Sequence, residues 1–260
     1  MRLQTLLFLL LSCLSQLACG QTKLAEIAII IDDMGNKHED AAAFTLPAGV
    51  TFAILPNKPL SEVFSNWANQ QDREVILHMP MESLAGVKEE QGAIRASMSQ
   101  QAMLDTLQSA LNTVPHATGL NNHMGSKLTQ LEHPMAVTMD FLSRHGLYFV
   151  DSRTTSLTRA EHIARQSGIM ASKRNVFLDH DADPQQIERQ FKRLIRLAKL
   201  HGRAVAIAHP YPQTLNFLAE QLTYLDQQGV SLVKLGDVVR QQYALAKQPS
   251  YPPTSTATLK

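Results

Sequence analysis

From residue 26 onward the chain alternates short β-branched apolar runs with longer amphipathic or Ala/Leu/Gln-rich stretches, and this alternation restricts its fold more than any other feature. The runs cover residues 26–31, 50–55, 74–77, 118–121, 147–150, 176–178, 203–208 and 231–233. Helices are predicted between them near 60–71, 99–113, 134–145, 161–167, 184–201, 212–228 and 235–247. Pro184 and Pro212 sit at first turns, where a missing N–H costs nothing, and Ser99 can cap the helix that follows it. Repeated β-α units with strands apolar on both faces describe a parallel sheet covered by helices rather than a sandwich. Seven or eight such units predict a closed or nearly closed (β/α) barrel of one domain over residues 24–247. An open doubly wound sheet is the alternative. It calls for a Gly-rich phosphate turn after the first strand, and Asp32-Asp33-Met34-Gly35-Asn36 is not one.

The ends of the chain read differently. Residues 1–20 begin with Arg2, continue through an apolar run from Leu6 to Leu11 and reach small residues at Ala18 and Gly20, the outline of a secretory signal peptide. The run falls well short of the roughly 18 apolar residues that cross a bilayer, so a cleaved segment is expected rather than a transmembrane anchor. Cys13 and Cys19 both lie within or beside this segment, which leaves no disulfide framework and suits export to a bacterial periplasm. Leu10-Leu11-Ser12-Cys13 offers a lipoprotein box as the rival reading. Residues 248–260 have little to bury and are expected to be a disordered tail. A formal charge of +1 provides no electrostatic footprint for nucleic acid.

In a barrel of this kind, chemistry is done by residues at the C-terminal ends of the strands. Asp32 and Asp33 follow the first run, His78 the third, His123 the fourth, Asp151 the fifth, Asp179 the sixth and His209 the seventh. Three imidazoles and several carboxylates on one rim have the composition of a metal-hydrolysis site, since both donor types suit zinc and leave a position for water. Blander readings exist: Asp32-Asp33 as a helix cap plus a solvated acid, His78 and His123 as hydrogen-bonded core histidines, and His209-Pro210 as a strand terminus. His38, His116, His133, His145, His162, His180 and His201 fall in predicted turns or on helix surfaces. Arg144, Arg159, Arg189 and Arg193 read as solvated helix faces. The long connection 79–96, with Pro80, Gly86 and Gly92, is expected to be an active-site loop.

These motifs resemble the divergent polysaccharide deacetylase family, related to the NodB-type carbohydrate esterases. The resemblance runs through Asp32-Asp33-Met34-Gly35, His78-Met79-Pro80-Met81-Glu82, Asn121-Asn122-His123-Met124-Gly125-Ser126, Val150-Asp151-Ser152, Leu178-Asp179 and His209-Pro210. It implies a deformed (β/α)7–8 barrel, one divalent metal, normally Zn2+, and a carbohydrate substrate such as a polysaccharide or peptidoglycan fragment that loses N-acetyl groups. By the same resemblance Asp32 is the general base, Asp33 and His78 are metal ligands, and His209 is the acid. The NodB-type His-x-x-x-His motif is altered here, because Glu82 stands four residues after His78. Either Glu82 or His123 then supplies the third ligand, and His123 is favoured for its place at a strand end. Asn122, Lys127, Asp151 and Asp179 are candidates for supporting roles or alternative ligands, and Lys127 or Arg153 for orienting the base. Two other functions are open: a degenerate barrel that binds a glycan or an envelope protein partner, and a two-metal phosphoesterase using Asp151 or Asp179. The second is disfavoured because Lys127 is the only basic group expected beside the cluster.

Overall fold

The computed structural model describes residues 24–84 and 90–248, so the signal-peptide segment 1–20, part of the 79–96 connection, and all but Gln248 of the expected tail lie outside the described residues. The strands are β1 (Ala25–Met34), β2 (Thr51–Ile54), β3 (Val75–Met81), β4 (Ala117–Met124), β5 (Tyr148–Asp151), β6 (Ala171–Lys173), β7 (Val176–Phe177), β8 (Arg203–Ala208) and β9 (Val230–Leu232). The helices are α1 (Ser61–Gln70), α2 (Gln100–Asn112), α3 (Glu132–His145), α4 (Ala160–Gln166), α5 (Pro184–His201), α6 (Pro212–Gln221) and α7 (Leu235–Ala246). Every strand pairing is parallel, in the order β6-β5-β4-β3-β2-β1-β8-β7, and β9 adds to the N-terminal part of β1.

β6 and β7 stand at opposite edges of this sheet, yet only Arg174 and Asn175 separate them in sequence. Arg174 donates its N–H to Asp151 O (2.9 Å) on one side, and Asn175 donates to Val205 O (2.8 Å) on the other. One short segment therefore joins both edges and curls the sheet into a deformed barrel. This is the predicted fold, with the predicted sixth strand shortened to β7 and a missed partner, β6. Ala171-Ser172-Lys173 has no β-branched run to announce itself, and its pairing with β5 is imposed by the closing geometry.

Alternation along the strands separates two apolar layers. Ala28 and Ile30 of β1, Ile76 of β3, Val150 of β5, and Val205 and Ile207 of β8 fill the interior, and Leu235, Val238 and Val239 of α7 plug its lower end. Ile27, Ile29 and Ile31 point outward under the helices. Burying each such side chain contributes about 1.5–3 kcal/mol, which is why the strands read as continuous apolar runs. Gly119 is required by close packing, since a Cβ there would overlap the Tyr148 ring.

The helices match expectation closely, including the Ser99 cap, whose hydroxyl accepts from Ala102 N at 3.2 Å. The predicted helix 212–228 stops at Gln221 and continues as two 3-10 turns, Leu222–Tyr224 and Asp226–Gln228. A 3-10 helix over His38–Thr45 was not expected.

Candidate metal centre

The interior-facing positions, followed upward, leave the apolar core and become the site. Ala28 and Ile30 lead to Asp32, Ile76 to His78, and Val205 and Ile207 to His209. On β4 the same parity runs Gly119, Asn121, His123. The sequence expectation placed Asp32, Asp33, His78 and His123 after their strands, whereas β1, β3 and β4 extend past all four. The extension matters because strand hydrogen bonding, rather than loop conformation, fixes these side chains.

Asp32 and Asp33 are neighbours and would point to opposite faces of a regular strand. The β1–β2 register shifts between Ile31 and Met34, and Asp33 adopts a left-handed backbone with φ of 59°. Asp tolerates this conformation better than most side chains, and the irregularity brings both carboxyls to the cleft.

Asp33, His78 and His123 form a trio whose donor atoms all lie within 4.8 Å of one another. His123 Nδ1 is 2.9 Å and His78 Nε2 3.1 Å from Asp33 Oδ1, and the two nitrogens are 3.1 Å apart. Asp33 Oδ1 is buried and accepts no hydrogen bond of acceptable geometry, so its lone pairs face the nitrogens without a linear donor. Tetrahedral zinc with bonds of about 2.0–2.1 Å spaces its ligand atoms about 3.4 Å apart, so a small outward adjustment would admit it. The donors are one oxygen and two nitrogens with no thiolate, a set that fits a borderline divalent ion.

Asn121 organises this cluster, and the sequence reading overlooked it in favour of Asn122. Its Nδ2 donates to Asp32 Oδ1 at 2.8 Å, and its Oδ1 lies 2.7 Å from His78 Nδ1. An ionised carboxylate only accepts, so the amide must turn its NH2 to Asp32 and its carbonyl to His78. His78 Nδ1 therefore carries hydrogen, and Nε2 is the atom presented to Asp33. His209 is held similarly from below: Asp179 Oδ1 lies 3.0 Å from its Nδ1, and Asp179 Oδ2 accepts from His209 N and Thr214 Oγ1. His209 Nε2 then faces Asp33 Oδ2 at 3.7 Å.

Electrostatics follow from burial. Burial opposes the charged form of His78, but Asp32 and Asp33 outweigh it and raise the imidazole to about 9. Burial also pushes Asp33 up, and the paired His123 and His78 overcome that and hold it well below the usual carboxylate range. Asp32 is pushed up because burial exceeds the pull of His78 and His209. Without an ion, the cluster thus binds a proton where a cation would neutralise the same carboxylates.

The remaining candidates are placed elsewhere. Glu82 pairs with Lys127 and accepts from Ala96 N at 2.7 Å, so it is turned away from the trio and is not its third member. Lys127 is correspondingly engaged, away from Asp32. Asn122 bridges Ser152 N and Met124 O and shapes the loops around the cleft. Asp151 accepts from Arg153 N and Thr158 Oγ1, both at 2.8 Å, and together with the saturated Asp179 offers no second metal site. His180, read as a surface histidine, lines the cleft, as does Arg193, read as a solvated helix face. The expectation that no basic group except Lys127 flanks the site is overturned: Arg153, Arg174 and Arg193 all line the same cleft of about 620 Å³. Arg174 was not singled out at all, because its position depends on the β6–β7 break.

The fold and this centre define a curled parallel (β/α) barrel with an Asp-His-His cluster at its mouth. Residues 29–239 match the family model described as divergent polysaccharide deacetylase, and the chain belongs to that family. An uncharacterized protein of Haemophilus influenzae is 36% identical over 226 residues, covering 86% of this chain and 80% of that protein. Among solved structures, the uncharacterized protein ATU2773 of Agrobacterium tumefaciens superposes with a TM-score of 0.80 at 18% identity, covering 84% of this chain and 90% of that one. The catalytic domain of a peptidoglycan N-acetylglucosamine deacetylase from Eubacterium rectale superposes at 0.54 and 17% identity, covering 82% and 89%.

Proposed function

We propose that the protein is a metal-dependent hydrolase that removes N-acetyl groups from a polysaccharide or peptidoglycan fragment, with Asp33, His78 and His123 holding one divalent ion, most simply Zn2+. The observation that carries this reading is the buried Asp33 Oδ1, which faces two imidazole nitrogens at 2.9 and 3.1 Å without a hydrogen bond of its own. A bound divalent ion would supply Lewis acidity toward a water and the acetamide carbonyl. Asp32, locked by Asn121 and raised by burial, is suited to take the proton of the attacking water. His209, oriented by Asp179, is suited to give a proton to the departing amine. One water and one acetamide are consumed, and acetate and a free amine are released.

The signal-like segment 1–20 supports a periplasmic location, where glycan strands are accessible. No helix of the described residues is long and apolar enough to cross a membrane. A second reading, a barrel that binds glycan or an envelope partner without turnover, is favoured by the Glu82–Lys127 pair, which takes the place of a second motif histidine. Acetate release from acetylated chito-oligosaccharides and peptidoglycan fragments separates the two. Release that disappears in Asp32→Asn while metal is retained supports hydrolysis; tight glycan binding with no release in the metal-loaded native protein supports the second reading.

A further inference from the structure

One wall of the cleft remains unused by this chemistry. Arg153, Arg174 and Arg193 line it, from the loop after β5, the β6–β7 break and helix α5, whereas Asp32 and Asp33 are the only carboxylates lining the cleft among the described residues. Both are directed away from the wall: Asp32 accepts from Asn121, and Asp33 Oδ1 lies against the two imidazoles of the metal trio. The acid nearest the wall in sequence, Asp151, accepts from Arg153 N and Thr158 Oγ1 rather than from a guanidinium. Among the described residues, neither Arg153 nor Arg193 has an ion pair or a side-chain hydrogen bond.

The wall is also fixed in place. Arg174 Nε donates to Ser152 O (2.6 Å) and Nη2 to Arg153 O (2.8 Å), while its guanidinium lies 4.9 Å from the Phe177 ring centre. Among the described residues, Nη1 makes no hydrogen bond. Arg153 itself has a left-handed backbone, φ of 51°, a conformation a long side chain adopts only when its surroundings enforce it. Burial and the neighbouring Arg153 lower the basicity of Arg174, Asp32 and Asp151 partly offset them, and Arg193 adds further repulsion, so the three like charges are gathered with only partial compensation. A chain with a net charge of only +1 has no general excess to account for this concentration.

We infer that the Arg153–Arg174–Arg193 wall is an anion subsite, and that the glycan entering the cleft carries a carboxylate or phosphate beside the acetamido group that reaches the metal centre. Guanidinium groups match both oxyanions through paired N–H donors. The inference rests on the hydrolase reading only for the identity of the sugar; the subsite is a statement about binding.

The test is calorimetric titration of the zinc-loaded protein with three oligosaccharides of equal length. One is neutral poly-N-acetylglucosamine, one carries lactyl-ether carboxylates, and one carries sugar phosphates. At least one acidic oligomer is expected to bind about tenfold or more tighter than the neutral one, as charge-assisted hydrogen bonds allow. Which acid gains identifies the anion. Arg193→Gln, an exposed position that leaves the fold intact, and Arg153→Gln are each expected to pull the acidic-to-neutral ratio toward one, as is raised salt. Equal affinity for all three oligomers, or an undiminished ratio in both variants, overturns the subsite. Acidic preference without acetate release upholds the subsite and sinks the hydrolase reading; release without preference does the reverse.

Discussion

Strand β3 carries a polar cluster at each end, and the two are built on opposite plans. Just before its N-terminal end, Glu74 accepts from Gly236 N at 3.0 Å and from Thr51 Oγ1 at 2.9 Å. Beside it, Arg73 spends Nη1 and Nη2 on the carbonyls of Pro47 and Leu46 at 2.7 and 2.8 Å. The Glu74 carboxylate and both terminal nitrogens of Arg73 are matched within the protein, with Arg73 Nε the buried exception, which is close to what a structural cluster needs. At the other end His78 joins a set in which carboxylate and imidazole lone pairs converge and Asp33 Oδ1 has no hydrogen-bonded donor. The lower carboxylate takes its donors from the protein itself, whereas the upper carboxylate and imidazoles are arranged to share a proton or a cation from outside. The barrel's stability and its chemistry are therefore separable along a single strand, and substitutions can break them separately.

The largest effect is expected at the open end. His123→Ala removes one of three donors and should weaken zinc binding by more than about 100-fold, measured by competition with a chromophoric chelator. Asn121→Ala leaves all three ligands in place but frees the His78 ring, and a loss of about 10- to 100-fold is expected, as for other residues that orient a metal ligand. In that variant, addition of saturating zinc should restore occupancy, which a collapsed site would not allow.

Acidity should act on the same end. Since metal-free His78 holds its proton up to about 9, zinc must displace that proton, and apparent affinity should fall about tenfold for each pH unit below that value. The sign for stability is opposite. In metal-free protein the raised His78 contributes stability that is complete below the ordinary imidazole range and is lost as pH rises through about 9, so a melting-temperature profile without metal should decline over that window. A pH-independent affinity between 6 and 9 would show that His78 does not carry the competing proton.

The smallest effect is expected at the closed end. Glu74→Gln trades a carboxylate for an amide in a matched cluster and should cost about 1–2 kcal/mol in urea denaturation while leaving zinc stoichiometry unchanged. Loss of zinc in this variant would mean that the two ends of β3 are coupled after all.

Much of this was legible in the residues. Unbroken apolar strands, Pro184 and Pro212 at helix starts, and Asp or His at successive strand ends gave the barrel and brought Asp32, Asp33, His78, His123 and His209 to one mouth. What stayed hidden depends on three-dimensional accidents of closure. The β1 irregularity that turns Asp33 beside Asp32 leaves no mark in Ile31-Asp32-Asp33, because Asp is equally at home in a turn. Nothing in the sequence marks Arg174, which the break between β6 and β7 places in the cleft, and Arg193 reads as solvated because helix periodicity cannot say which loops a helix face meets. Glu82 was ambiguous for a related reason: its partner Lys127 lies 45 residues away, and only the folded chain shows that the pair satisfies itself.

The central claim is the Asp-His-His metal centre, and anomalous diffraction at the zinc absorption edge from crystals of the zinc-loaded protein tests it most directly. One zinc per chain bonded to Asp33, His78 and His123, with Glu82 still paired to Lys127, is the predicted result. No stoichiometric metal, or a zinc that takes Glu82 as a ligand in place of His123, would contradict it.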